Sequence, residues 1–139
     1  MKYDFFILSV IILILISAFS NAQVVIIANK SIDVKSIDHN TLENLYTLQS
    51  NELGSQKVKP VFLTSEDETS KKFVETIGKS LQELKRIWLR AKLTGNGVAP
   101  DLIASEGDVL NKVVSTPNMV GFIDQKLIKE NVKVLFKLP

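Results

Sequence analysis

The sequence predicts an α/β domain, a small mixed β-sheet flanked by helices in the order β-α-β-α-α-α-β-β. Three observations predict it. Short apolar runs rich in branched residues recur along the chain, at Val24–Ala28, Val58–Leu63, Met119–Ile123 and Val132–Phe136. Each reads as a strand. Between them lie three capping boxes, Ser65 with Glu68, Ser80 with Glu83 and Ser105 with Asp108. In such a box the hydroxyl and the acid satisfy backbone N–H groups left free at a helix start. Finally, glycines stand where helices must stop, at Gly78 and at Gly95-Asn96-Gly97, since glycine takes the left-handed conformation at low cost. Strands alternating with helices imply one layered α/β unit.

The chain has 139 residues, of which the first 22 read as a secretory signal rather than as fold. Lys2 gives a short positive start, offset by Asp4. Phe5–Ile16 is apolar apart from Ser9, and Ser20-Asn21-Ala22 places small residues where a signal peptidase reads. The apolar run is shorter than the roughly 18–20 residues that span a bilayer. Cleavage before Gln23 is expected, leaving residues 23–139 as one domain. A periplasmic or secreted location follows, with no membrane association after cleavage.

Val24–Ala28 is apolar on both faces and reads as a buried strand. Asn40–Leu48 carries Leu42, Leu45, Tyr46 and Leu48 in a helical stripe. Asn51–Lys57, with Gly54, reads as a turn. Pro60 within Val58–Leu63 implies an edge or a bend, because proline offers no ladder N–H. Helices follow from Ser65 to about Ile77, from Ser80 to about Leu93, and from Ser105 to Val114. Pro117-Asn118 marks a turn, and Gln125–Lys129 a weak turn or helix.

Composition excludes several functions. The net charge is +2 and there is no cysteine. Nucleic-acid binding wants a far more basic, clustered chain, and disulfides and thiolate chemistry are absent. The single histidine, His39, has no second histidine or cysteine to share a metal with, so it reads as a surface or helix-start residue. No nucleophile elbow, P-loop or zinc-protease motif occurs. Glu66 and Glu68 read as partners of the helix dipole rather than an acid–base pair. A non-enzymatic protein with no metal and no cofactor is expected.

The segment Thr64–Ser70 is the candidate site. It joins a strand to a helix start, where free N–H groups bind oxyanions. Thr64, Ser65, Thr69 and Ser70 add hydroxyls, and Asn29 ends the first strand as a further candidate. Against this stand Glu66, Asp67 and Glu68. Each like-charge pair with an incoming anion costs about 1–4 kcal/mol at surface-like dielectric. Further on, Lys85, Arg86, Arg90 and Lys92 share a helix with Trp88. Two readings stand here: an amphipathic helix with Trp88 in the core, or a basic surface for a protein partner.

The order of these segments resembles the phosphate-binding branch of the type 2 periplasmic-binding-protein superfamily. The resemblance rests on Val24–Asn29 with Ile37 and Thr41–Tyr46, and on Val61–Phe73. It continues through Ile87-Trp88 with Lys92–Gly97, then Ser105–Val114 and Thr116–Ile123. It implies a single periplasmic-binding-protein-like lobe rather than a two-lobed clamp, with a small phosphate-like anion bound at the helix start. Thr69 matches the family's threonine. Where the family carries a serine-glycine-threonine turn preceded by an arginine, this chain has Asp67-Glu68-Thr69, with Thr64 or Ser65 near the arginine position. Two functions follow: a secreted solute-binding lobe for a small oxyanion, or a periplasmic interaction module that has lost its ligand and contacts an envelope protein.

Overall fold

The computed structural model describes residues 22–129 and 131–139. Nearly all of the expected signal segment, residues 1–21, lies outside the described residues. Among the described residues no helix is long and apolar enough to cross a membrane.

The strands are β1 (Val24–Asn29), β2 (Glu52–Leu53), β3 (Gln56–Lys57), β4 (Lys59–Leu63), β5 (Asp101–Ile103), β6 (Met119–Asp124) and β7 (Val132–Lys137). The helices are α1 (His39–Tyr46), α2 (Glu68–Ile77), α3 (Leu81–Thr94) and α4 (Glu106–Ser115), with a 3-10 turn at Gln125–Leu127. Five strands form one mixed sheet in the order β5-β4-β6-β1-β7, and β2 and β3 form a separate hairpin. β4 runs parallel to β5 and β6, whereas β1 is antiparallel to β6 and β7. This is the expected class, a mixed sheet flanked by helices. β5 and the small hairpin are additions. β5 is only three residues long and holds exposed Leu102, too short for an alternation pattern to stand out.

Pro60 proves to lie in an interior strand. Its nitrogen still breaks no ladder. The Lys59 amide donates to Asn118 on the β6 side at 2.9 Å, so the next nitrogen faces β5, and β5 pairs only from Val61 onward.

The core is aromatic at its centre. Tyr46, Phe62, Phe73 and Phe122 are fully buried. Phe73 stacks on Phe122 at 3.8 Å, and Trp88 meets Phe62 edge-on at 5.2 Å. Two hydrogen bonds fix this cluster: the Tyr46 hydroxyl donates to Val61 O at 2.8 Å and Trp88 Nε1 donates to Tyr46 O at 2.8 Å. Burial pushes the Tyr46 phenol well up, so it remains a neutral donor. Trp88 is therefore a core residue, as the amphipathic reading of its helix expects.

Gly121 lets α4 lie close on the sheet. A Cβ there would sit 2.9 Å from Val109 Cγ1 and 3.2 Å from Val113 Cγ2, nearer than carbon atoms tolerate. Asn118, at φ +60, makes the turn into β6. Its amide donates to Ser31 Oγ at 2.8 Å.

Candidate functional site: the start of helix α2

β4 delivers Thr64 to the carboxyl end of the parallel strands, where open α/β sheets place ligands. Thr64 is held there by its neighbour strand. Its amide donates to Ile103 O at 2.8 Å and its hydroxyl to the same oxygen at 3.3 Å.

The helix begins later than the capping box implies. Asp67, not Ser65, is the N-cap, in extended conformation at φ −91 and ψ 179. Its Oδ1 accepts from the Ser70 amide at 3.1 Å, and its Oδ2 accepts from the Ser65 hydroxyl at 2.9 Å. Aspartate caps as well as serine does. Here Asp67 takes the role, and the helix it starts buries Thr69, Phe73 and Ile77 on one face. Their spacing of four marks the inner face of the helix. The other two boxes cap as expected, with Ser80 accepting from the Glu83 amide and Ser105 from the Asp108 amide.

The hydroxyls of the turn are consequently used within the chain. Buried Ser70 donates to Leu63 O at 3.2 Å, tying the first turn of α2 to the end of β4. Ser65 serves Asp67, and Thr64 serves Ile103. Thr69 differs. It is 3 % exposed and its hydroxyl has no partner among the described residues. No buried side-chain oxygen of the described residues lacks a partner, so the small exposed part of Thr69 includes that hydroxyl.

Asn29 does not join this group. β1 runs antiparallel to β6, so its end lies beside Val120 at the opposite end of the sheet from Thr64. At about 3.3 Å per residue, the length of β4 separates them by roughly 13 Å. Asn29 instead closes the end of α4, donating to Val113 O at 2.8 Å and Val114 O at 3.0 Å. It also accepts from the Ser31 amide at 2.9 Å.

Carboxylates cluster at this end of the sheet. Glu66, Asp67 and Glu68 are exposed. Glu106 and Asp108 stand on the first turn of α4, and Asp124 ends β6. Glu106 Oε1 accepts from the Asp124 amide at 2.7 Å. Lysines also stand here: Lys71 lies 3.9 Å from Glu68 with both side chains exposed, Lys72 Nζ donates to Ala22 O at 3.2 Å, and Lys126 follows Asp124. His39 lies elsewhere and reaches Thr76 O at 2.7 Å, joining α1 to α2. No group of three or more metal-ligating side chains occurs among the described residues.

No protein-family model and no curated protein matches the chain by sequence. Solved structures do match by fold. The chain is similar to a protein described as a phosphate ABC transporter substrate-binding protein, with bound phosphate, from Clostridium perfringens. The TM-score is 0.64 at 17% identity, over 82% of this chain and 44% of that one. It is equally similar to an ABC-type phosphate transport receptor from Vibrio cholerae, at TM-score 0.64 and 18% identity over 82% and 45% of the two chains. For PstS from Borrelia burgdorferi the TM-score is 0.54, at 17% identity over 82% and 46%. The fold is thus that of a phosphate-type substrate-binding protein, as the motif order implies. The chain spans less than half the length of these proteins, in keeping with a single lobe.

Proposed function

We propose that this chain is an exported, non-enzymatic lobe of the solute-binding type that works as a protein-interaction module in the cell envelope. One observation carries this reading: the Asp67 carboxylate occupies the start of α2, the place an oxyanion would take. A carboxylate tethered in place competes as an intramolecular ligand, at an effective concentration of about millimolar or more. Further carboxylates around it raise the cost for any arriving anion.

A second reading has its own support. The Thr69 hydroxyl is unpartnered, and the similar Clostridium protein holds phosphate. Asp67 would then swing out and a small oxyanion would bind the freed amides beside Thr69, Ser70 and Ser65, with Thr64 behind them. Thermal-shift titration with phosphate, sulfate and small carboxylates separates the two. The interaction-module reading expects no shift at millimolar anion. A ligand present at 100 times its dissociation constant would stabilise by about 2.7 kcal/mol, and a shift of that size for any of these anions overturns it.

A further inference from the structure

Helix α3 carries a surface without a partner among the described residues. Its inner face supplies Leu84, Trp88 and Ala91 to the interior. Arg86 and Arg90 stand one turn apart, both exposed, and neither has an ion pair or side-chain hydrogen bond among the described residues. They rim a groove of about 500 Å³ between α3 and the end of α1. Its walls include Ile87 and Ala91 from α3 and Leu48 from the α1 end, with Glu83 as the one carboxylate. Lys79 also lines it and already faces Glu43, at 3.9 Å. Leu48 holds φ +61 in this wall, a conformation that side chains other than glycine seldom take.

Two large apolar side chains adjoin the arginines. Leu89 is 56% exposed and Leu93 is 76% exposed. At about 100° per residue, they follow Arg86 on the outer side of the helix. The sequence Arg86, Leu89, Arg90, Leu93 is therefore one continuous strip, at the spacing by which a helix presents a docking face. Exposed leucines alone need no explanation. Leucines bordered by unpaired guanidinium groups, next to a groove with apolar walls, have a defined complement.

We propose that the α3 strip and its groove bind an acidic amphipathic segment of a partner protein, whose carboxylates meet Arg86 and Arg90 while its apolar residues cover Leu89 and Leu93. Guanidinium groups pair with carboxylates through two parallel hydrogen bonds. The concave shape suits a chain segment better than a flat bilayer. This rests on the reading of the lobe as an interaction module and names its surface. It lies on helix α3 rather than at the start of α2.

The test uses amide NMR spectra of the protein titrated with a synthetic acidic peptide, two leucines four residues apart flanked by glutamates. Saturable shifts are expected on α3 residues 86–94 and on the Trp88 indole. Arg86→Glu with Arg90→Glu should weaken binding about ten-fold or more, and added salt should weaken it too. Both side chains are exposed, and the milder pair Arg86→Gln with Arg90→Gln guards against loss of fold. No shifts at millimolar peptide, or equal binding by the charge-reversed protein, overturns the proposal. So does sedimentation with phosphatidylglycerol vesicles in the absence of peptide binding, or a dimer of the protein that the charge reversal dissolves. A phosphate titration of the same sample keeps the two readings apart. Phosphate shifts at residues 67–70 would overturn the proposed function, whereas failure with peptide and silence with phosphate overturns only the groove.

Discussion

The Asp67 carboxylate accepts the Ser70 amide at 3.1 Å, so helix α2 begins on an anion that the chain itself supplies. Asp67→Ala should cost about 1 kcal/mol, the usual worth of an N-cap, whereas Asp67→Ser should cost only a few tenths. Urea denaturation followed by Trp88 fluorescence measures both. Equal losses for the two variants would mean that Asp67 does not act as a cap.

Gly121 and Gly107 should respond oppositely to alanine. At Gly121 the added Cβ meets Val109 and Val113 at 2.9 and 3.2 Å, and overpacking of this kind costs about 1–3 kcal/mol. At Gly107, exposed in the first turn of α4, nothing lies within 4 Å. There alanine should stabilise by about 0.5–1 kcal/mol through reduced freedom of the unfolded chain. Melting temperatures of the two variants check the signs.

Tyr46→Phe removes the donor to Val61 O inside the core. A buried carbonyl left without this partner costs about 1–3 kcal/mol. The loss should appear in the denaturation midpoint with the slope unchanged, since the ring still fills its place between Phe62, Phe73 and Phe122.

Asp38 caps α1, accepting from the Thr41 amide at 2.8 Å. The Thr41 hydroxyl first, then the Thr41 amide, hold its carboxyl below the ordinary aspartate range. A carboxyl whose value is lower folded than unfolded adds stability above the unfolded value, and that stability is lost as pH falls through the folded one. Acid should therefore fray the start of α1, with the Thr41 amide resonance following the Asp38 titration below the ordinary carboxylate range. In Asp38→Asn that acid-dependent movement should vanish.

Much of this fold is legible in the chain because its signals are local. The Ser80 and Ser105 caps, the Gly78 and Gly95 stops and the inward face of Trp88 depend on neighbours within a turn or two. β5 was hidden because three residues cannot show a period, and Pro60 misled because an interior strand can begin before its neighbour does. The site was less legible. Thr64 to Ser70 reads as a strand-to-helix turn, but Ser65 and Asp67 are comparable caps two residues apart, and the structure makes Asp67 the cap. Asn29 lies at the other end of the sheet from that turn, which the sequence hides because strand direction is a property of the whole sheet. An end of β1 says nothing about which end of β4 it adjoins until β1 is known to run antiparallel to β6.

The most direct test of the closed helix start is phosphate titration of the protein beside Asp67→Gly, followed by amide NMR at residues 67–70. With the carboxylate in place, those resonances should not move at millimolar phosphate. Without it, the freed amides should respond, weakly because Glu66 and Glu68 remain. Saturable phosphate shifts in the unaltered protein, undiminished relative to the variant, would contradict the account.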